Sequence, residues 1–301
     1  MPIINANISE TIDITENKQY DVAKYTTANV KVAGLPRTVD SNGVLQFSSS
    51  FDDFIGGATD IGDYVFYSAY YSNTTGYYNN VSGAINMSSV QTISGAKACY
   101  QMFYKCTGIT SVDLSSLATV SGANGCYGMF QGCTGITSVD LGSLTTVDGQ
   151  SGCQNMLREC TSLTSIDLSS LTTVSVQSGC SNMFQGCTGI TSVDLSSLTT
   201  VSGKLGCNQM FQGCTGLTNV DLSSLETVSG QSGCYNMFSG CTSLTTLSFP
   251  ALKTVYDNKV FNNMLSGVTG CTVHFPSNLE DYNFNCGGTD TTVLYDLSAT
   301  E

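Results

Sequence analysis

CSNMFQGCTGITSVDLSSLTTVSGKLG, residues 180–206, decides the fold because the chain repeats it. Cys180 belongs to a column with Cys99, Cys126, Cys153, Cys207 and Cys234, each 27 residues from the next. Seven residues later, Cys106, Cys133, Cys160, Cys187, Cys214 and Cys241 keep the same step, so twelve of the fourteen cysteines are repeat positions. The units also keep a Met-Phe or Met-Leu pair, a Cys-Thr pair and, in all but the last, an Asp in an alternating apolar run. A fixed period of this length predicts stacked coils, each burying its apolar face only against its neighbours.

Within the unit, Ile190, Val193, Leu195 and Leu198 follow an L-x-x-V-x-L-x-x-L spacing. Positions 193 and 195 alternate as a strand does, while the flanking apolar positions suit the bends of a flat coil. Cys180, Met183, Phe184 and Cys187 stand at i, i+3, i+4 and i+7, one face of a short helix. The expected fold is a leucine-rich-repeat-like solenoid of short parallel strands and short helical turns, with a small β-rich N-terminal module. At a strand spacing of about 4.8 Å, seven or so coils form a rod or gentle arc about 35 Å long.

The repeat also sets the domain boundaries. Six full units occupy 99–260 of a solenoid expected over 83–285. Upstream, INMSSVQTISG (85–95) aligns with VDLSSLATVSG (112–122) as a partial first coil, with Met87 in a Leu position. Downstream, Phe261 and Val268 replace the two cysteines, Met264 is kept, and VHFP (273–276) fits only after a one-residue deletion. Degenerate ends of this kind cap a solenoid. Residues 1–48 read as a β-rich attachment segment, 49–82 as a Tyr-rich cap or linker, and 286–301 as a C-terminal tail.

Composition narrows the function. The 301 residues carry a net charge of −13, only 11% are charged, and there are 31 Gly, one His and no Trp. That balance argues against nucleic acid, whose binding needs Lys and Arg to release counterions from phosphate. The N-terminus MPIINANISETIDITENK has no basic region followed by an apolar run of about 7–15 residues, so no cleaved signal peptide is expected. Nor does any stretch approach the roughly 18–20 apolar residues of a membrane span.

Three side-chain sets stand out. Along a column the cysteines have three readings: disulfides, a metal site, or small apolar residues lining the interior. Disulfides fit poorly, since stacked coils present parallel Cβ vectors at about 4.8 Å. C-x6-C without a CxxC or paired His is a weak zinc signal, which favours the structural reading and no bound metal. Asp113, Asp140, Asp167, Asp194 and Asp221 sit between inward strand residues and should point outward. Each neighbouring pair repels by about 0.9 kcal/mol in water. They read either as a stripe for a divalent cation or sugar hydroxyls, or as a solvated face bonded to Ser and Thr side chains such as Ser115 and Ser116. Tyr64, Tyr67, Tyr70, Tyr71, Tyr77 and Tyr78 crowd into fifteen residues and read either as a contact patch for glycan or protein, or as a cover over the open solenoid end.

For catalysis the inventory is thin. His274 is the sole histidine and is flanked by Val273 and Phe275 like an ordinary strand residue; a partner such as Cys271 or Cys286 has nothing local to position it. No GxGxxG, Walker, HExxH or GxSxG element occurs, so neither an enzyme nor a cofactor is expected.

Two resemblances follow. MFQGCTGITSVDLSSLTTV resembles the BspA-like leucine-rich repeats, with their aromatic-x-Gly-Cys-Thr run, and the bacterial surface-protein 26-residue repeat family, with Met-Phe-x-x-Cys and Leu-Asp-Leu-Ser. At the N-terminus, ITENKQYDVAKYTTANVKVAG (14–34) resembles a short segment of phage tail, baseplate and fibre-associated proteins, with Lys18 and Gln19 where that pattern has Gly and Thr. Together they imply a non-enzymatic phage virion protein. Its N-terminal segment would contact other virion proteins, and its repeat surface would meet a host-surface glycan or protein. A thiol-rich core suits folding in a reducing cytoplasm and release by lysis. The alternatives are a BspA-like adhesin on a bacterial cell surface and an intracellular protein-binding inhibitor.

Overall fold

A computed structural model describes residues 37–39, 45–47, 60–61 and 82–298. They form a parallel β-solenoid of about seven coils with a 27-residue period, together with a separate antiparallel pair, Arg37–Val39 with Leu45–Phe47. Each of the first six coils contributes one strand to each of two sheets. Ser82–Asn86, Gly108–Asp113, Ser138–Asp140, Ser165–Asp167, Ser192–Asp194 and Asn219–Asp221 make a six-stranded parallel sheet. Thr92–Ile93 and the five Thr-Val pairs from Thr119–Val120 to Thr227–Val228, ending at Thr254–Val255, make a seven-stranded one. Neighbours pair 27 residues apart, as Val193 does with Val220 and Thr200 with Thr227.

The sequence alternation explains the packing. In Ser-Val-Asp the Val points in and its neighbours point out, giving an exposed-buried-exposed pattern in the central strands. Cys180, Met183, Phe184, Cys187, Ile190, Leu195, Leu198 and Val201 are all fully buried. Stacking repeats each contact by translation, so Phe184 lies on Phe211 at 5.4 Å between ring centroids with planes 5° apart. Thr hydroxyls staple the coils: the Thr145, Thr172 and Thr199 Oγ1 groups donate to the carbonyls of Ala118, Thr145 and Thr172 at 3.0–3.2 Å.

The short helical turn expected over Cys180–Cys187 is not present. Its inward face is as predicted, but the backbone is a chain of tight turns. Ser181, Met183, Gln185 and Cys187 donate their amides to the carbonyl three residues back. Cys180, Asn182, Phe184 and Gly186 donate instead to Gly206, Asn208, Met210 and Gln212 of the next coil, at 2.7–2.9 Å. Ser178, Asn182 and Gly186 have φ of 56°, 57° and 76°. A left-handed residue every fourth position closes a type II-like turn and breaks the run of right-handed residues an α-helix needs. The third wall of the rod is therefore bonded coil to coil, as the sheets are.

Both ends depart from the repeat. Asp60 bridges in parallel to Thr92, Ile61 donates to the Thr92 carbonyl, and the buried Ile61 covers the first coil. At the other end, Thr246–Ser248, Thr272–Pro276 and Thr292–Leu297 form a three-stranded parallel sheet. Thr246 pairs with Thr272, a step of 26 rather than 27, as the one-residue deletion requires. Thr292–Leu297, in the segment read from sequence as a tail, pairs with Thr272–Pro276. Phe249, Phe261, Phe275 and Phe284 meet there with centroids 4.7–5.3 Å apart and fill the end of the core.

Candidate functional site

The residues that could meet a ligand lie on the outward face of the six-stranded sheet. Strand alternation that buries Val112, Val139, Ile166, Val193 and Val220 turns the Asp column outward: Asp140, Asp167, Asp194 and Asp221 are exposed and Asp113 half-buried. Asp113, Asp140 and Asp167 stand opposite one another in the register, as do Asp194 and Asp221. Each uses one carboxylate oxygen locally. Oδ1 accepts the backbone N–H two residues on, from Ser115, Gly142, Ser169, Ser196 and Ser223, at 2.9–3.0 Å. The bond common to the whole column is thus to the main chain, and at Asp167 the Ser169 side chain adds the hydroxyl bond that the sequence led one to expect. Asn86 extends the column and caps Ser88 in the same way at 2.9 Å. Hydrogen bonds from Ser169 hold the Asp167 carboxyl below the usual carboxylate range.

Beside the Asp column runs a Ser column, Ser111, Ser138, Ser165 and Ser192, and the two line an open groove of about 840 Å³ that crosses five coils. No Lys or Arg lines it. Among the described residues, no three of His, Cys, Asp and Glu converge as a multidentate metal site would require. The column stops at Ser248, and the next position is His274, whose Nδ1 lies 2.9 and 3.0 Å from the two carboxylate oxygens of Asp296. The sole histidine is therefore engaged by a carboxylate on the following strand rather than by a thiol. Sequence spacing could not have found that pair, because Asp296 follows at 22 residues, outside the 27-residue register. Tyr64, Tyr67, Tyr70, Tyr71, Tyr77 and Tyr78 lie outside the described residues.

All fourteen cysteines are buried with free thiols. The second column does more than fill space. The Sγ–H of Cys133, Cys160, Cys187, Cys214 and Cys241 donates to the carbonyl thirty residues back, that of Phe103, Phe130, Leu157, Phe184 and Phe211, at 3.0–3.3 Å. Cys271, which fell outside the repeat, stands at the end of this column, close enough to act electrostatically on Cys241 and on Cys286. Burial raises Cys207 and Cys214 above their ordinary value, to about 12. A thiol reagent at pH 8 is therefore expected to label the native protein at close to zero sites and the denatured protein at all fourteen. Substantial labelling of native protein would show that the core is open or that the columns face solvent.

The described residues contain no helix long and apolar enough to cross a membrane. A family model described as BspA type leucine rich repeat region (6 copies) matches residues 59–204 and 129–266. No curated protein sequence matches the chain. Among solved structures it is similar to a leucine-rich repeat protein from Bacteroides ovatus, with 17% identity over 72% of this chain and 64% of that one and a TM-score of 0.40. It is also similar to the T. pallidum leucine rich repeat protein TpLRR, with 18% identity over 71% of this chain and 82% of that one and a TM-score of 0.32. A leucine rich cell surface protein from Faecalibacterium prausnitzii shares 15% identity over 86% and 85%, with a TM-score of 0.30. The chain spans 64% of the length of the B. ovatus protein.

Proposed function

Because the chain belongs to the BspA-type leucine-rich-repeat family, we propose that it is a non-enzymatic binding protein of a bacterial cell surface, meeting its ligand with the Ser and Asp face of the six-stranded sheet. The observation that carries this reading is the groove itself: hydroxyls and carboxylates from four successive coils and the Asn86 amide from the one before, without a basic side chain among them. Such a surface suits an extended ligand rich in hydroxyl or cationic groups, a glycan or a protein segment. The virion reading rests on residues 14–34, which lie outside both the family match and the described residues, and it takes second place.

The test separates charge from fold. Asn86 shows that an amide at this position keeps the turn capped. The triple exchange Asp140→Asn, Asp167→Asn and Asp194→Asn should therefore leave the melting temperature near that of the parent. On a glycan array or a panel of host-surface proteins, it is expected to weaken the best ligand at least about tenfold, the equivalent of about 1.4 kcal/mol. A ligand held equally well by the variant would place the binding surface elsewhere.

A further inference from the structure

The wall of tight turns carries a charge opposite to that of the rest of the chain. Across its segments, 96–106 and the equivalents at 27-residue steps up to 258–268, stand Lys97, Lys105, Arg158, Lys204 and Lys259 against one acid, Glu159. The chain has a net charge of −13 and ten Lys and Arg in all, so half of its cations are gathered on this wall. Lys105, Lys204 and Lys259 are exposed and Arg158 is half-buried. Counted from Cys99, the five fall on the first, third, fifth and seventh coils, with none on the coils between. Glu159 pairs with Arg158 at 3.2 Å, and Asp257, just before the last segment, accepts the Lys259 amide at 2.8 Å.

Lys97, Lys204 and Lys259 follow one border of the wall, at equivalent or adjacent positions of the repeat, and Lys105 and Arg158 follow the other. Phenols and amides make up the rest of the strip. Tyr100 stacks on Tyr127 with centroids 4.8 Å apart and planes 7° apart, and Lys97 Nζ lies 5.8 Å from the Tyr100 ring. Asn182 Nδ2 donates to Gln185 and Gln209 at 3.1 and 3.2 Å, Gln209 Nε2 donates to Gln212 at 2.9 Å, and Gln185 donates to Gln212 as well. These bonds run both within a coil and between coils, so the amides are ordered before any ligand arrives, which lowers the entropy cost of binding. Amides also offer donors and acceptors together, as hydroxyl groups require.

We propose that this wall is a second binding surface, for a linear acidic polysaccharide lying along the rod with its acid groups against the cations and its hydroxyls against the amides. It shares no residue with the Asp groove. The interval selects the class. Cations recur every second coil, an axial step of about 10 Å at about 4.8 Å per coil, and a polysaccharide with one acid group per disaccharide repeats its charge at nearly that interval. An extended peptide brings side chains to one face about every 6.8 Å and falls out of step. Single-stranded nucleic acid needs open aromatic faces, and Tyr100 and Tyr127 are already stacked on each other. Charges farther than about 8 Å are largely screened at physiological salt, so the wall sets the field a ligand meets there, whatever the net charge of the chain.

A hyaluronan oligosaccharide, with one carboxylate per disaccharide, is the probe for calorimetric titration of the full chain at low ionic strength. Dextran serves as the uncharged polymer, and poly-L-glutamate and oligo-dT as polyanions of other backbones. Hyaluronan is expected to bind, less tightly as salt is raised, and the other three to bind weakly or not at all. Lys105→Gln, Lys204→Gln and Lys259→Gln together remove three exposed cations, and Gln keeps the stem with which Lys105 covers Gly132. That variant should weaken hyaluronan at least about tenfold. The triple Asp→Asn exchange at Asp140, Asp167 and Asp194 should leave hyaluronan within about twofold of the parent, which separates this wall from the Asp groove. Circular dichroism verifies that both variants fold. Any control polymer held as tightly as hyaluronan, or hyaluronan held as tightly by the lysine variant, overturns the assignment. Absence of hyaluronan binding overturns it as well, and association between rods that the lysine exchange abolishes would give the wall to a second copy of the chain.

Discussion

Raising the pH from 7 to 10 is expected to unfold this protein cooperatively at a temperature where it is stable at neutrality. Thirteen of its thiols have values raised by the fold, through burial and, for Cys153, first through its bond with Cys126. Cys271 is pushed up to about 11, and Cys207, Cys214 and Cys286 to about 12. In the unfolded chain a thiol titrates near 8.5. Between these values the folded state holds a proton that the unfolded state has lost, so stability falls as pH rises. The contribution is fully present below about pH 8.5 and declines until the folded thiols themselves ionise.

The size follows from the count. Each thiol contributes a loss of about 1 kcal/mol between pH 9 and 10, so the set contributes on the order of 10 kcal/mol, as much as the whole stability of an ordinary domain. Urea midpoints at pH 7, 9 and 10 measure it. Replacing column cysteines by Ala or Val should flatten the dependence by up to about 1.4 kcal/mol per pH unit for each thiol removed. A midpoint that stays level to pH 10 would mean that the thiols are not sealed in the core.

The second large effect concerns a column of glycines at the outer edge of the seven-stranded sheet: Gly95, Gly122, Gly149, Gly203 and Gly230. A Cβ on Gly149 would stand 2.3 Å from the carbonyl oxygen of Gly122 and 2.7 Å from its carbonyl carbon. Both atoms belong to the backbone of the preceding coil, which is bonded on through Gly149 N–H to Val120 O at 3.1 Å and cannot yield alone. Gly149→Ala is therefore expected to destabilise by at least about 3 kcal/mol, lowering the melting temperature by about 6–12 °C. Gly142→Ser is the control. Its position holds Ser in four other coils, Ser115, Ser169, Ser196 and Ser223, and a change within about 0.5 kcal/mol is expected. Comparable losses from the two variants would remove the steric explanation.

One coil shows what the exchange does in nature. Val176 occupies the glycine column, and neither Ser175 nor Val176 makes the amide bond to the preceding coil that Asp148 and Gly149 make to Val120. The side chain is accommodated by giving up these two amide bonds, while Thr173 and Val174 keep their pairing with Thr146 and Val147.

These details divide what the residues disclose from what they conceal. The period, the inward set and the deletion before Val273 are legible because they are patterns of residue type, and translation turns such patterns directly into contacts. Cys180, Met183, Phe184 and Cys187 were equally legible as an inward face. Their backbone was not, because a helix and a chain of turns with a left-handed residue every fourth position bury the same four side chains. Ser178, Asn182 and Gly186 held the clue: three residue types that tolerate positive φ to different degrees, four apart, in a segment otherwise read as helical. The Asp column was placed on the correct face, yet its main-chain bond to the residue two positions on could be read only from coordinates. The thiol-to-carbonyl bonds left a single trace in the sequence, the Val that replaces Cys where the column ends.

The aromatic plug at the C-terminal end bears on how such a rod changes size. Phe249, Phe261, Phe275 and Phe284 close the core in a cluster where Phe261 and Phe284 lie tilted or edge-on to their neighbours, breaking the parallel stacking of the interior coils. Growth or loss at that end would uncover the plug or strand it in the middle. Length is therefore free to vary only between the closures, in quanta of 27 residues, each adding two strands, one Asp and about 4.8 Å of groove. Number of copies becomes a ruler: duplication in the interior lengthens the surface offered to a ligand while leaving every existing contact, and both lids, as they were.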